Sequence, residues 1–278
     1  MTSQQNTNTL NAEFWDELCG TALAKSIGIT ENSVDSLEKF DNEYMGMYPY
    51  LYKYLDPKFL TDKKVLEVGM GYGTMGQYIA SRCGQYHGLD IAANPVKMMN
   101  YRLERLGLEQ LAIQGNMLEC PYPDNYFDTV YSIGCFHHTG DIQKCFDEAF
   151  RVLKPEGYGI FMVYNQYGLR NWTQHFVATL KFFLAELGIF KKDKRLDITR
   201  RAGYDANAKK EAAPETILSS KHELRKMLSN FKSVEICNEN IDAYIKLPVL
   251  RSRPFPKEKY LSTIGRVIGI DLYIVCQK

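Results

Sequence analysis

The chain reads as an α/β protein built on a doubly wound parallel sheet. Three observations lead there. From Lys64 to Tyr164, short apolar β-type runs alternate with helical segments, the pattern of strands joined by crossover helices. The first run, Val65-Leu66-Glu67-Val68, is followed at once by glycines at alternating positions, Gly69, Gly71 and Gly73. Acids stand at the ends of the first two runs, Glu67 and Asp90, where a ligand lying across the strand ends would meet them.

Taken in order, residues 1–10 are polar and are expected to lie outside the fold. Asn11 to Gly28 reads as a helix, with Phe14, Trp15, Leu18 and Ala22 at helical spacing and Asn11 as N-cap. A second helical stretch runs from about Ser36 to Leu55 and breaks at Pro49. Strands are expected at Val65–Val68, Tyr86–Leu89, Leu111–Gln114, Asp128–Ile133 and Tyr158–Tyr164, with helices at Thr74–Cys83, Pro95–Leu106 and Ile142–Leu153. Lys154-Pro155-Glu156-Gly157 is a turn that ends a helix and starts a strand. Leu169 to Leu187 reads as one aromatic-rich amphipathic helix, followed by a basic loop from Lys191 to Glu215. Ser220-Lys221-His222-Glu223 fits a capping box. Val234–Cys237 and Leu272–Cys276 are the last strands, separated by a segment that Pro248, Pro254 and Pro256 interrupt. This divides the chain into an N-terminal helical cap, 1–60, and a domain, 61–278, with insertions at 165–216 and 243–270.

Composition narrows the function. Of 278 residues, 45% are hydrophobic and 24% charged, with a net charge of +1. That balance gives no case for nucleic acid or an anionic membrane as partner. No apolar run is long enough to span a bilayer, and the polar start does not read as a signal peptide. The cysteines at 19, 83, 120, 135, 145, 237 and 276 include no Cys-x-x-Cys pair. No metal ligands are therefore assigned, and a cytoplasmic, reducing location is expected.

The glycine run lets the backbone turn sharply and approach a ligand closely, because no Cβ intervenes. A helix N-terminus follows, which favours a nucleotide-like group. Gly71-x-Gly73-x-x-Gly76 also fits a dinucleotide fingerprint, so a nicotinamide-dependent oxidoreductase is one reading. Asp90 ends the second strand, where a carboxylate accepts from two ribose hydroxyls. Gly115-Asn116-Met117 follows the third strand, where a short amide beside a backbone N–H can read an adenine edge.

With Val65–Thr74, Gly88–Asp90 and Gly115–Cys120 stand three further segments. These are Pro121–Val130, Phe136-His137-His138, and Arg151-Val152-Leu153-Lys154-Pro155-Glu156-Gly157-Tyr158. In this order the set resembles the class I S-adenosylmethionine-dependent methyltransferases, and within them the type 11 domain of the ubiquinone/menaquinone-biosynthesis enzymes. The resemblance covers roughly residues 60–165. It implies a Rossmann-like seven-stranded sheet and S-adenosyl-L-methionine as cofactor. It also implies roles. Gly69, Gly71 and Gly73 would pass under the methionine part of the cofactor, and Glu67 would support its amino group. Asp90 would hold the ribose, and Asn116 and Met117 would meet the adenine. The family usually carries an aspartate at the position of Asn116, whose amide oxygen still accepts from an adenine amino group.

A methyl acceptor that is a hydroxyl, phenol or protonated amine needs a base. His137 and His138 follow the fourth strand, and imidazole suits that task near neutral pH. Asp141 follows closely, to orient one of them or to line the acceptor pocket. The partner expected is a small organic acceptor, aromatic or of natural-product type, methylated on O, N or C. Tyr44, Tyr48 and Tyr52 recur at helical spacing and read mainly as a core stripe, while Tyr72 and Tyr164 fall nearer the site. In this family, substrate choice rests with the N-terminal cap and the late insertions. Here these offer Trp172, His175, Phe176, Phe182 and Phe183, and a cationic-apolar segment from Leu250 to Pro256 that suits a lipid surface. A non-catalytic cofactor-binding protein is the remaining alternative.

Overall fold

A computed structural model describes residues 3–17, 24, 26–29, 33–109, 111–189, 196–207, 209–241, 244–247, 250–254, 261 and 263–278. Its strands are β1 (Lys64–Val68), β2 (Gln85–Asp90), β3 (Ala112–Gln114), β4 (Phe127–Ile133), β5 (Leu153–Tyr164), β6 (Ser233–Glu239), β7 (Tyr244–Leu247), β8 (Leu250–Pro254) and β9 (Asp271–Gln277). Seven form one sheet in the order β3-β2-β1-β4-β5-β9-β6, and β7 and β8 pair separately. The first five strands are parallel, as the β-α alternation requires. The sheet as a whole is mixed, because β9 runs antiparallel to both β5 and β6. No crossover helix is needed between antiparallel neighbours, so the connection from β6 to β9 carries β7 and β8 instead.

Both sheet faces are covered, and each has its own core. Leu66, Val68, Val130 and Phe161 pack on one side, and Val65, Tyr131, Ile160 and Tyr273 on the other. That is the alternation expected of strands buried on both faces. The second core absorbs much of the chain's tyrosine. Its buried hydroxyls find partners: Tyr131 Oη donates to the Tyr54 carbonyl (2.9 Å) and Tyr54 Oη to Glu239 Oε1 (2.7 Å).

Several elements depart from the sequence reading. Residues 3–10 are not outside the fold: they open a helix, Ser3–Trp15, that runs on into the expected one. Asn11 sits inside that helix rather than capping one, and its Nδ2 donates to the His138 carbonyl at 2.7 Å. Gln4 Nε2 likewise donates to the Thr139 carbonyl at 2.7 Å. The helix docks through amides on loop carbonyls, so no apolar period announces it. Residues 18–23 of the expected Asn11–Gly28 helix lie outside the described residues. The stretch expected from Ser36 to Leu55 is a helix, Val34–Met47, then a 3-10 helix, Pro49–Tyr54, broken at Tyr48, because a residue before proline is kept out of the α region. Leu169–Leu187 is two helices, Leu169–Gln174 and Phe176–Glu186, parted at His175. The Lys154–Gly157 turn persists as a bulge within β5, with Glu156 at φ +64°. Asp128 latches it, accepting from the β1 residue Lys64 N–H (2.9 Å) and pairing with Lys154 Nζ (2.9 Å).

One buried cation joins the glycine loop to the layers around it. Arg102, on the helix Ala93–Arg105, is fully buried. Its guanidinium makes a bidentate pair with Asp41 (2.8 and 2.9 Å) and donates to Gln77 Oε1 (2.8 Å) and the Tyr72 carbonyl (2.9 Å). Asp41 belongs to Val34–Met47 and also accepts from Thr74 Oγ1 at 2.7 Å. Asp41→Ala strands a buried charge, which costs about 3 kcal/mol. Urea unfolding is expected to show a loss of that size, and a loss under about 0.5 kcal/mol would contradict the assignment.

Candidate active site

The strand order reverses between β1 and β4, and the loops after these two strands meet there. A Cβ on Gly69 would stand 2.5 Å from the Cys135 Cβ. In an open α/β sheet this crevice is where ligands bind. A cavity of about 470 Å³ fills it, extending from the glycine loop past the end of β4 to residues of the N-terminal helix and the insertions.

The glycine loop forms one wall. Gly73 precedes the helix Thr74–Ala80 at φ +78°, and a Cβ on it would come within 2.9 Å of Arg102 Cδ. Gly71 also has positive φ (+53°), but a Cβ there would meet nothing within 4 Å. The left-handed backbone explains glycine at both positions. At Gly71 the space beyond is the cavity itself. Gly69 and Gly71 line it, whereas Gly73 stands behind, shaping the turn.

Two carboxyls lie under this wall. Glu67 is buried and accepts from Tyr86 Oη at 2.5 Å. Burial pushes its carboxyl up to about 8, with the tyrosine hydrogen bond holding it lower than burial alone would. Asp90, also buried, accepts the Met70 N–H on Oδ2 (2.9 Å) and the Ala92 N–H on Oδ1 (3.0 Å). Burial raises it to about 6, against the pull of those backbone donors. The Gly71 and Ile91 N–H groups also act on this carboxylate, and both Glu67 and Asp90 line the cavity. Asn116 and Met117 line it as well. Asn116 Oδ1 is engaged by the Leu118 N–H (3.0 Å), capping the short turn Met117–Glu119, so its amide NH₂ is the group that the turn does not use.

The two histidines part ways. His137 is fully buried, does not line the cavity, and packs against Tyr164 with ring centroids 4.1 Å apart and planes tilted by 47°. Burial and the neighbouring imidazole push it well below the usual histidine range, so it stays neutral. His138 does line the cavity. Its Nδ1 lies 2.7 Å from the Glu215 carbonyl, which only accepts, so Nδ1 carries the proton and Nε2 the lone pair. Nε2 is 3.5 Å from Asp205 Oδ2, and Asp205 in turn accepts from Tyr164 Oη at 2.9 Å. Asp141 orients neither histidine. It caps the helix Ile142–Val152 by accepting the Lys144 N–H (3.0 Å).

Sequence reasoning missed Asp205, Arg170, Asn240 and Asp271, all on the cavity wall. They belong to or follow the late insertions, where no motif marks them. Of the aromatics singled out, Tyr44, Tyr48, Tyr72 and Tyr164 line the cavity, while Tyr52 is 53% exposed and packs on Tyr78. Trp172, His175, Phe176, Phe182 and Phe183 are not among the lining residues. Lys191, Lys192, Lys194 and Arg195 of the basic stretch lie outside the described residues. Among the described residues no helix is long and apolar enough to cross a membrane.

Comparison with known proteins follows this geometry. Residues 66–161 match the family model described as a methyltransferase domain. Over 36% of its length the chain is 34% identical to a glycine/sarcosine/dimethylglycine N-methyltransferase of Actinopolyspora halophila, of which it covers 18%. Over 51% it is 32% identical to a sterol 24-C-methyltransferase of Gibberella zeae, covering 39% of that protein. Over 52% it is 27% identical to a phosphoethanolamine N-methyltransferase of Caenorhabditis elegans, covering 33%. The chain thus spans well under half the length of these curated relatives. A methyltransferase from Methanosarcina mazei shares the fold, with TM-score 0.52, 19% identity, and 83% of this chain and 97% of that one covered. One from Archaeoglobus fulgidus does too, with TM-score 0.52, 16% identity, and 83% and 92% covered. Residues 66–161 thus carry a methyltransferase domain, of the class I, S-adenosylmethionine-dependent type.

The raised carboxyls make stability depend on pH. Below its usual value of 4.5, Glu67 is protonated in both the folded and the unfolded chain. As pH rises toward about 8 the unfolded chain ionises first, so the stabilisation is lost through that window and levels off above it. Asp90 adds the same sign between 3.8 and about 6. Glu67→Gln is expected to flatten the decline in urea-unfolding free energy between about pH 5 and about pH 8; an unchanged slope would contradict the assignment.

Proposed function

We propose that this protein transfers a methyl group from S-adenosylmethionine to a small organic acceptor bound in the far half of the cavity. The observation that carries the reading is continuity. One cavity joins the open space over Gly71, the carboxyl of Asp90 and the lone pair of His138 Nε2.

The residues present fit the cofactor. Asp90 presents a carboxylate at the cavity wall to the ribose hydroxyls. Asn116 and Met117 offer an amide and an apolar surface to the adenine. Gly69 and Gly71 leave room for the methionine part, with Gly73 fixing the turn, and Glu67 faces its amino group. When bound, the cofactor supplies an electrophilic methyl on a sulfonium, which departs as a neutral thioether. The protein's part is to bring the acceptor into line, exclude water and remove a proton. We assign the last task to His138 alone. Its Nδ1–H is anchored on the Glu215 carbonyl, which leaves Nε2 as the atom to take up a proton, and Asp205 beside Nε2 stabilises the imidazolium that forms. His137, neutral and walled off, has a packing role. Residues 1–60 serve as the cap over the cofactor, contributing Asn11, Trp15 and Tyr48 to the wall, and the insertion at 165–216 contributes Arg170 and Asp205.

Two measurements test this. Calorimetry with S-adenosylmethionine should give saturable binding that weakens by about 2 kcal/mol or more in Asp90→Ala, from loss of charge-assisted hydrogen bonds. No binding by the native chain would overturn the proposal. Cell extract incubated with methyl-labelled cofactor and the protein should yield a labelled small molecule by mass spectrometry. With that product, His138→Ala is expected to lower kcat by about a hundredfold or more while the cofactor Kd moves less than about threefold. An unchanged kcat would remove His138 from the mechanism.

A further inference from the structure

The helix Phe176–Glu186 is held to the protein along one side. Thr179 and Phe182 are its buried residues. Thr179 Oγ1 donates to the Asn171 carbonyl at 2.9 Å, and Phe182 packs with Leu196 and Leu218. The other side is apolar and faces outward. Phe176, Leu180, Phe183 and Leu187 recur at helical spacing, with Val177 and Ile189 beside them, and each is between 37% and 64% exposed. Single exposed apolar residues are ordinary on a protein surface. Six large ones on a single helix and the turn that ends it form a patch of the kind that marks a contact.

The charge around this patch has one sign. Lys181 is exposed and is the cation of the helix, and Glu186 is its acid. Glu186 is turned inward, accepting from Tyr167 Oη and from Ser220 Oγ (2.6 Å). The outward side of the helix therefore presents a lysine and no carboxylate. The sequence continues the bias: residues 169–195 carry six lysines and arginines against two acids, with Lys191, Lys192, Lys194 and Arg195 close behind the helix. The net charge of +1 for the whole chain averages this local excess away.

We propose that the outward side of this helix docks on an anionic lipid surface. The helix lies in the plane of the interface, with its apolar side chains at the boundary of headgroups and acyl chains and Lys181 reaching back to the lipid phosphates. A lipid surface supplies apolar depth and negative charge together, which is the combination this side complements. A second copy of the chain, meeting it face to face, would bring lysine against lysine, and like charges disfavour that contact. The docking helix adjoins the cavity wall. Arg170 lines the cavity from the preceding helix, Leu169–Gln174, and Trp172 of that helix lies 5.9 Å, ring to ring, from Phe176. Docking thus sets that wall close to the lipid. The proposal does not depend on methyl transfer, and its failure leaves that reading untouched.

The test uses the full chain and two kinds of vesicle, one of equal parts phosphatidylcholine and phosphatidylglycerol, the other of phosphatidylcholine alone, with binding read by flotation. The native chain is expected to bind the anionic vesicles about tenfold more tightly than the neutral ones, and less tightly as salt is added. Phe176→Ser combined with Val177→Ser is expected to weaken binding by about tenfold or more. Lys181→Glu should weaken it by about fivefold or more, and Lys181→Arg should retain it. These side chains are exposed, so the urea-unfolding midpoint is expected to stay where it is in every variant. No binding to anionic vesicles, equal binding to both kinds, or a double serine variant that binds as tightly as the native chain overturns the proposal. Sedimentation velocity without lipid is the second measurement. Self-association that the double serine variant abolishes would make this side a contact between copies and overturn the proposal; its absence is expected.

Discussion

The structure turns on one buried guanidinium. Arg102 has no exposure to solvent, yet it fixes three elements at once. It holds the carbonyl of Tyr72 in the glycine loop, the side chain of Gln77 on the helix that the loop starts, and the carboxylate of Asp41 on the helix ahead of the sheet. A charge is tolerated in such a place only when it is paired and its hydrogen bonds are complete. The bidentate contact with Asp41 meets that condition. The cavity wall at Gly69 and Gly71 therefore has its shape because a cation behind it has nowhere else to go. The same pair keeps the helix Val34–Met47, with Tyr44 and Met47, at the mouth of the cavity.

From that wall the site divides by chemistry. The near half is made by the ends of the first three strands and is built from backbone turns and two raised carboxyls, Glu67 and Asp90. The far half is made by the N-terminal helices and the late insertions and is built from aromatic faces, carboxylates and the guanidinium of Arg170. His138 stands where the halves meet, its tautomer set by the Glu215 carbonyl. The two carboxyls of the near half are partly protonated near neutrality, so a cationic ligand draws protons off them as it binds. Ligand charge and site protonation are coupled from the outset.

How much of this the sequence disclosed depends on how local the signal is. The parallel strands, the glycine loop, Asp90 and the Ser220 capping box are written in short windows, and each lies where the pattern puts it. The antiparallel seat of β9 is not local, because it depends on which neighbours β9 finds after a long connection. Asn11 and Gln4 were illegible for a different reason: they dock by side-chain amides on loop carbonyls, which leaves no hydrophobic period to read. The paired histidines looked equivalent, and only packing separates His137 against Tyr164 from His138 in the cavity wall. Asp205 sits in a stretch whose basic composition pointed away from it, and nothing local marks Arg102, whose partners lie on three other segments.

The proposed reaction needs one cavity to hold the methyl donor in its near half and the acceptor in its far half, with His138 between. A crystal structure of the full chain with S-adenosylhomocysteine tests it most directly. The ribose hydroxyls are expected on Asp90, the adenine beside Asn116 and Met117, and the sulfur opening toward His138. A ribose remote from Asp90, or a sulfur turned away from His138, would contradict it.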